Sequence, residues 1–277
     1  MLIPRFWARA EGTATDPFGR QLLLRLWGWS QESAAEALVV ARRRVAEVTA
    51  RLAGGDGPDA YPYGTRQPLR EEIVRYLVGD GPGESIVTRN RYGALVLNTA
   101  RVPFIDVDAV APSGLAGLKR LFGRGPAVDP ALERIRAACA RHPRHAFRVY
   151  RTRSGFRVLV VNAELDPVSE EARAFLDGFG ADPQFVRLCR VQQSFRARLS
   201  PKPWRIGVKA PPGQHPRDPV AQAAFGAWLL DYDAASRGYA TCQFVETIGT
   251  APPGGDARAI VDEHDRTTRA HEPLPLA

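Results

Sequence analysis

The stretch from Ala146 to Asn162 constrains the fold more than any other. "AFRVYRT" and "FRVLVVN" are two apolar-rich runs on either side of "RSG". Strand-forming residues bounded by a Ser-Gly turn read as a β-hairpin. Upstream, "SIVTRNRYGALVLNT" and "VPFIDVD" are strand-like too, with Arg101 between them. The helical segments stand apart from this hairpin and do not alternate with strands in a βαβα rhythm. The pattern disfavours a doubly wound nucleotide fold and predicts an α+β fold with a largely antiparallel sheet.

Capping residues punctuate the helices. Ser30 is a good N-cap, and "QESAAEALVVARRRVAEVTARL" follows it, with Leu38, Ala41, Val45, Val48 and Leu52 at helical spacing until Gly54 and Gly55. Asp129-Pro130 opens a helix whose Leu132, Ile135 and Cys139 share a face. Ser169 caps "SEEARAFLDGFG", which Gly178 ends, and Asp218-Pro219 opens a helix expected to run to Leu229 or Leu230. "EEIVRYL" fits a strand or a helical turn, "FVRLCRVQQSFRARLS" reads as more sheet, and "GYATCQFVETI" as a last strand. "GGDGPDAYPYGTRQP", with Tyr61 and Tyr63, and the Gly-rich "PSGLAGLKRLFGRGPA" are expected to be loops, and "GDGPGES" a turn. The second loop lacks P-loop spacing. The expected organisation is an N-terminal α/β subregion over 1–86, a core over 87–249 and a disordered, Pro-, Gly- and charge-rich tail over 250–277.

"FIDVD" is the stretch with chemical content. A strand places Asp106 and Asp108 on one face while Ile105 and Val107 point into a core. Two carboxylates side by side repel, and a divalent cation would remove the repulsion. Mg²⁺ or Mn²⁺ suits such oxygen ligands. Loss of one charge is then expected to relieve repulsion in the metal-free protein, and the rival expectation is a sheet face wet enough to tolerate two carboxylates.

Charge points the same way. The chain carries 38 Lys and Arg against 30 Asp and Glu. From Arg141 to Arg157 there are six arginines and no acid, and from Gln184 to Ala210 five arginines and two lysines, again with no acid. Such runs favour a phosphate-rich partner, nucleic acid or nucleotide. Arg153, Ser154, Arg157, Arg190, Arg196, Arg198 and Lys202 are the candidate phosphate contacts, and Tyr150 and Trp204 the candidate base-stacking rings. His142, His145 and His215 lie in loops without metal-ligand spacing and read as solvent-exposed. No G-x-S-x-G elbow is present. Cys139, Cys189 and Cys242 form no C-x-x-C pair and read as core residues. No apolar run is long enough for a bilayer, and the opening "MLIPRFWARAEG" lacks a signal-peptide core, so a cytoplasmic protein without membrane contact is expected.

The order of these pieces resembles the catalytic module of the archaeo-eukaryotic primase (primase-polymerase) superfamily: "FIDVD", the helix "DPALERIRAACAR", the Ser-Gly hairpin "YRTRSGFRVLVV", the helix "SEEARAFLDGFG" and the basic run. The resemblance covers roughly 87 to 209. It implies an RRM-like sheet and metal-dependent nucleotidyl transfer, with Asp106 and Asp108 as catalytic metal ligands. Arg157 stands about where that family has a histidine, and Asp182 is the nearest match to its third acid. Two alternatives are a non-catalytic nucleic-acid-binding module and a metal-dependent nuclease.

Overall fold

The computed structural model describes residues 1–54, 68–77, 85–109, 129–250, 252–253 and 257–277. Gly55, Tyr61, Tyr63, the turn before Ser85 and the whole Gly-rich loop lie outside the described residues. The chain is α+β, with antiparallel sheets and six α-helices among the described residues.

The N-terminal unit is a two-stranded hairpin, β1 (Phe6–Thr15) and β2 (Gln21–Ser30), lying on α1 (Ala34–Ala53). The helix starts later than Ser30 suggests. Ser33 is the N-cap and accepts from the Glu36 backbone N–H at 3.1 Å, while Ser30 ends β2 and donates its hydroxyl to the Glu36 carboxylate at 2.7 Å. Gly28 lets strand and helix touch. A Cβ there would lie 2.2 Å from the Ala37 carbonyl oxygen and 2.3 Å from the Ala41 nitrogen, both backbone atoms that cannot rotate away. Gly28→Ala is therefore expected to destabilise by about 1–3 kcal/mol, read as a lowered melting temperature. An unchanged melt would mean that this unit does not melt with the rest.

Two four-stranded sheets follow. One has the order β3 (Glu72–Tyr76), β4 (Ser85–Arg89), β5 (Leu95–Thr99), β9 (Phe195–Arg198), so "EEIVRYL" is a strand. The other runs β10 (Cys242–Ile248), β7 (Phe147–Thr152), β8 (Gly155–Val160), β6 (Phe104–Asp108). β6 and β7 are parallel, joined through α2 (Pro130–Ala140), and β8 inserts antiparallel between them, which makes a split βαβ unit. β9 pairs with β5 yet also touches β6, so the two sheets meet at that edge. One apolar core runs through both, including Val87, Leu97, Ile105, Val107, Phe147, Val158 and Phe195. Ile105 and Val107 point into it, as their alternation requires.

Asp129 and Ser169 cap their helices as read, the second being α3 (Glu170–Gly178). "FVRLCRVQQSFRARLS" is a correction. Its first part is α4 (Pro183–Gln192), capped by Asp182 with Pro183 at the first turn, and only Phe195–Arg198 is strand. Asp218 caps α5 (Pro219–Ser236), which runs past Leu230 and contains both Asp231 and Asp233.

The C-terminal residues are the larger correction. Ala257–Thr268 form α6, and Ile260, His264 and Thr268 are buried. The strand register puts Phe104, Asp106, Arg157, Tyr150, Cys242 and Phe244 on one face of the second sheet. α6 covers part of that face. The His264 ring lies 4.5 Å from Tyr150 and 5.6 Å from Phe104, and its Nε2 is 3.8 Å from Cys242 Sγ. No described helix is long and apolar enough to cross a membrane.

Candidate functional site

"FIDVD" poses the problem of two like charges, and the register resolves half of it. Asp106 on β6 stands opposite Arg157 on β8. Arg157 donates Nε to Asp106 Oδ1 at 2.8 Å and Nη2 to Oδ2 at 3.2 Å, and its Nη1 reaches the Arg198 carbonyl at 2.9 Å. Only 3% of the Arg157 side chain is exposed. Burial opposes its charge, but the Asp106 carboxylate outweighs it and raises the guanidinium above its ordinary value. The bidentate pair is a built part of the sheet.

Asp108 lies two residues on, opposite Gly155 at the exposed strand end. Burial, then the charges of Asp182 and Asp106, push its carboxyl up. Asp182 itself caps α4 through its side chain at 2.9 Å from the Gln184 N–H, and its own N–H donates to the Asp106 carbonyl. The carboxylates are thus neighbours, but both Asp106 oxygens are held by Arg157, and one Asp182 oxygen is held by a helix. Among the described residues no three His, Cys, Asp or Glu side chains form a metal-ligand group. As arranged, the donor set does not fit a divalent cation.

The cations are arranged differently. Arg153 and Ser154 form the exposed tip of the β7–β8 hairpin, and Arg205 Nη2 donates to Ser154 Oγ at 3.2 Å. Arg198 lies close by, half-buried at the end of β9. Burial and the charges of Arg157 and Arg205 push its guanidinium down to about 10, and its buried Nη1 has no hydrogen-bond partner among the described residues. Burial with Arg198 and Arg205 lowers Lys202, and burial with Arg153 lowers Arg205. None of Arg153, Arg198, Lys202 or Arg205 forms an ion pair with a described carboxylate. These four cations thus lie close together, with Arg198 acting on Lys202, and Arg205 on both, while Asp106 partly offsets the charge of Arg198.

Aromatic rings border it. Trp204, on a 3₁₀ turn at Pro203–Arg205, is 54% exposed and meets the Tyr92 ring edge-on at 5.1 Å. Lys202 lies over Trp204 at 5.4 Å and Arg91 over Tyr92 at 4.6 Å. The β4–β5 turn that carries Tyr92 is fixed by Gly93 at φ +82°, against which the Trp228 ring packs. A cleft of roughly 610 Å³ continues from here, lined by Tyr92, Lys202, Asp106, Asp182, Arg196 and Arg70. Arg196 is paired with Glu71 at 2.7 Å, is only 7% exposed, and keeps an unpartnered Nη1 at the cleft.

Three expected contacts are corrected. Tyr150 cannot stack on a base. It is fully buried under α6, and its hydroxyl donates to Asp265 at 2.6 Å. Arg157 is committed to Asp106. Arg190 lies away from the cluster on α4, paired with Glu170 at 3.2 Å beside a separate concavity that Arg173 and Arg187 also line. His142 and His145 are half-buried, packed against Phe175. Arg205, Arg91, Tyr92 and Arg70 were not singled out from the sequence. Arg205 was visible within the second acid-free run, but the other three join the site only through the fold. No family model, curated protein or solved structure matches the chain.

Proposed function

We propose that the chain is a nucleic-acid- or nucleotide-binding module, non-catalytic as arranged, built on a primase-like, RRM-like core. The observation that carries this reading is the cluster of Arg153, Arg198, Lys202 and Arg205, none ion-paired with a described carboxylate, beside the Trp204–Tyr92 rings. Guanidinium forks suit phosphates, and an exposed ring suits a base of any sequence. The split βαβ unit with β9 at its edge supports the RRM-like comparison.

A Mg²⁺- or Mn²⁺-dependent nucleotidyl transferase or nuclease on Asp106, Asp108 and Asp182 is the second reading. The electrostatic crowding of Asp108 by the other two carboxylates favours it. It requires Asp106 to leave Arg157.

Lys202→Ala with Arg205→Ala tests the first reading. The double variant should melt like wild type, since neither side chain is buried in the core, and lose about tenfold or more in affinity for a fluorescent oligonucleotide. Wild-type affinity in the variant would refute the assignment of the cluster. A time course with a labelled strand, nucleotides and Mn²⁺ should leave the strand unchanged. Extension or cleavage would put the second reading in place of the first.

A further inference from the structure

The outer face of the N-terminal hairpin has no role in the site described so far. Pairing of Arg9 with Trp27 and of Glu11 with Arg25 sets these four on one side of β1–β2, because Gly12 and Gly28 pack on α1 from the other. Leu23, paired with Thr13 on that outer side, is 58% exposed. The face is therefore aromatic, apolar and net basic, a composition unlike an ordinary wet hairpin.

Arg70 joins this face to the cleft. Its guanidinium lies 4.3 Å from the centre of the Trp27 ring, and the same side chain lines the cleft beside Arg196, Tyr92 and Lys202. It donates to Gln214 at 2.9 Å, while its buried Nε has no partner among the described residues. Arg9 approaches Trp27 too, at 5.9 Å, so two like charges converge on one ring, and Glu11, which pairs with Arg9, is shared with Arg25. The cleft itself contributes the unpartnered Nη1 of the 93%-buried Arg196. The cleft, on whose lining Asp106 and Asp182 also stand, thus joins the Lys202, Trp204 and Tyr92 group to Arg70 and Trp27, so that cations and rings recur from one end to the other. A mononucleotide has no use for such a length. A flexible polyanion with a flat ring on every repeat matches it.

We infer that the ligand is an extended single strand of nucleic acid, and that its path runs out of the cleft across Arg70 onto the Trp27 face of the N-terminal hairpin. This rests on the proposed binding function and adds a second platform to it. The alternation also gives the path its selectivity, because a duplex keeps its base faces stacked and could not use the rings.

The test compares fluorescent oligothymidylates of about 5 and about 15 nucleotides, lengths that bracket common single-strand site sizes. Wild type should bind the longer strand more tightly than its extra register positions alone allow. Trp27→Ala and Arg9→Gln, both on the hairpin face and outside the cleft, should each weaken the 15-mer about tenfold and leave the 5-mer unchanged, because the shorter strand is held at Trp204 and Arg205. Trp27→Phe, which keeps a ring, should restore most of the 15-mer affinity. If both variants bind the 15-mer like wild type, the hairpin is off the path and the inference fails while the binding function stands. If the 5-mer weakens equally, the variants act through the fold, and the inference fails. If neither length binds wild type, the binding function fails as well.

Discussion

Asp106→Ala should destabilise the protein by about 2–3 kcal/mol, lowering the urea midpoint without changing the slope. The cause is Arg157. Its side chain is 3% exposed and spends two donors on Asp106. Removing the carboxylate leaves a buried cation with one remaining acceptor, the Arg198 carbonyl. Full burial of both partners would suggest a larger loss, but Asp106 is 36% exposed, and water screens part of the pair. Replacing both partners by apolar residues, Asp106→Leu with Arg157→Met, should recover much of the loss, because no orphaned charge then remains. Repulsion between Asp106 and Asp108 predicts the opposite sign for the single variant. A midpoint unchanged or raised in Asp106→Ala would show that repulsion, and not the ion pair, governs this strand.

Asp265→Ala should cost more, about 3–5 kcal/mol, because four side chains lose one acceptor. Asp265 sits in α6, and it accepts from Tyr150 at 2.6 Å, His264 at 3.1 Å, His271 at 3.0 Å and from Arg148. Burial works against its charge, yet these hydrogen bonds and the Arg148 cation hold its carboxyl well below the usual carboxylate range. The sign of the pH dependence follows. A depressed folded-state value gives stability that is fully present above the unfolded value near ~3.9 and is lost as pH falls through the folded one. Wild type should therefore lose stability on acidification from about pH 4 downward more steeply than Asp265→Ala, whose curve lacks this contribution. Parallel acid curves would mean that Asp265 is not ionised in the network. Since α6 covers the face that carries Tyr150 and Arg157, its loss should also expose the Tyr150 ring, seen as a change in near-ultraviolet circular dichroism.

Much of the fold is legible because its signals are local. The RSG hairpin, the alternation of "FIDVD" and the Asp-Pro starts of two helices depend on residues a few positions apart. α4 carries the same Asp-Pro start, at Asp182-Pro183, but its Val, Leu and Cys between arginines imitate a strand, and tertiary packing of Phe185 and Cys189 decides for helix. The capping pair Ser33 and Glu36 was equally local, and Ser30 stood in front of it. α6 was hidden for a different reason. Its buried positions include Glu263, His264 and Thr268, so its inward face is not an apolar stripe, and its partners lie on strands far off in sequence. The site divides along the same line. Basic runs show where cations accumulate, but not which are already paired. That Asp106 and Arg157 cancel is set by strand register, and that Arg205 stands beside the hairpin tip is set by the 3₁₀ turn that carries it.

The salt dependence of binding tests the central claim most directly. If Arg153, Arg198, Lys202 and Arg205 meet phosphates, log affinity for a single strand should fall with log salt at a slope near −3, roughly −0.7 for each of four contacts. Arg205→Gln should make that slope shallower by about 0.7 and leave the melting temperature unchanged. A slope indistinguishable from zero, or no binding at low salt, would contradict the account.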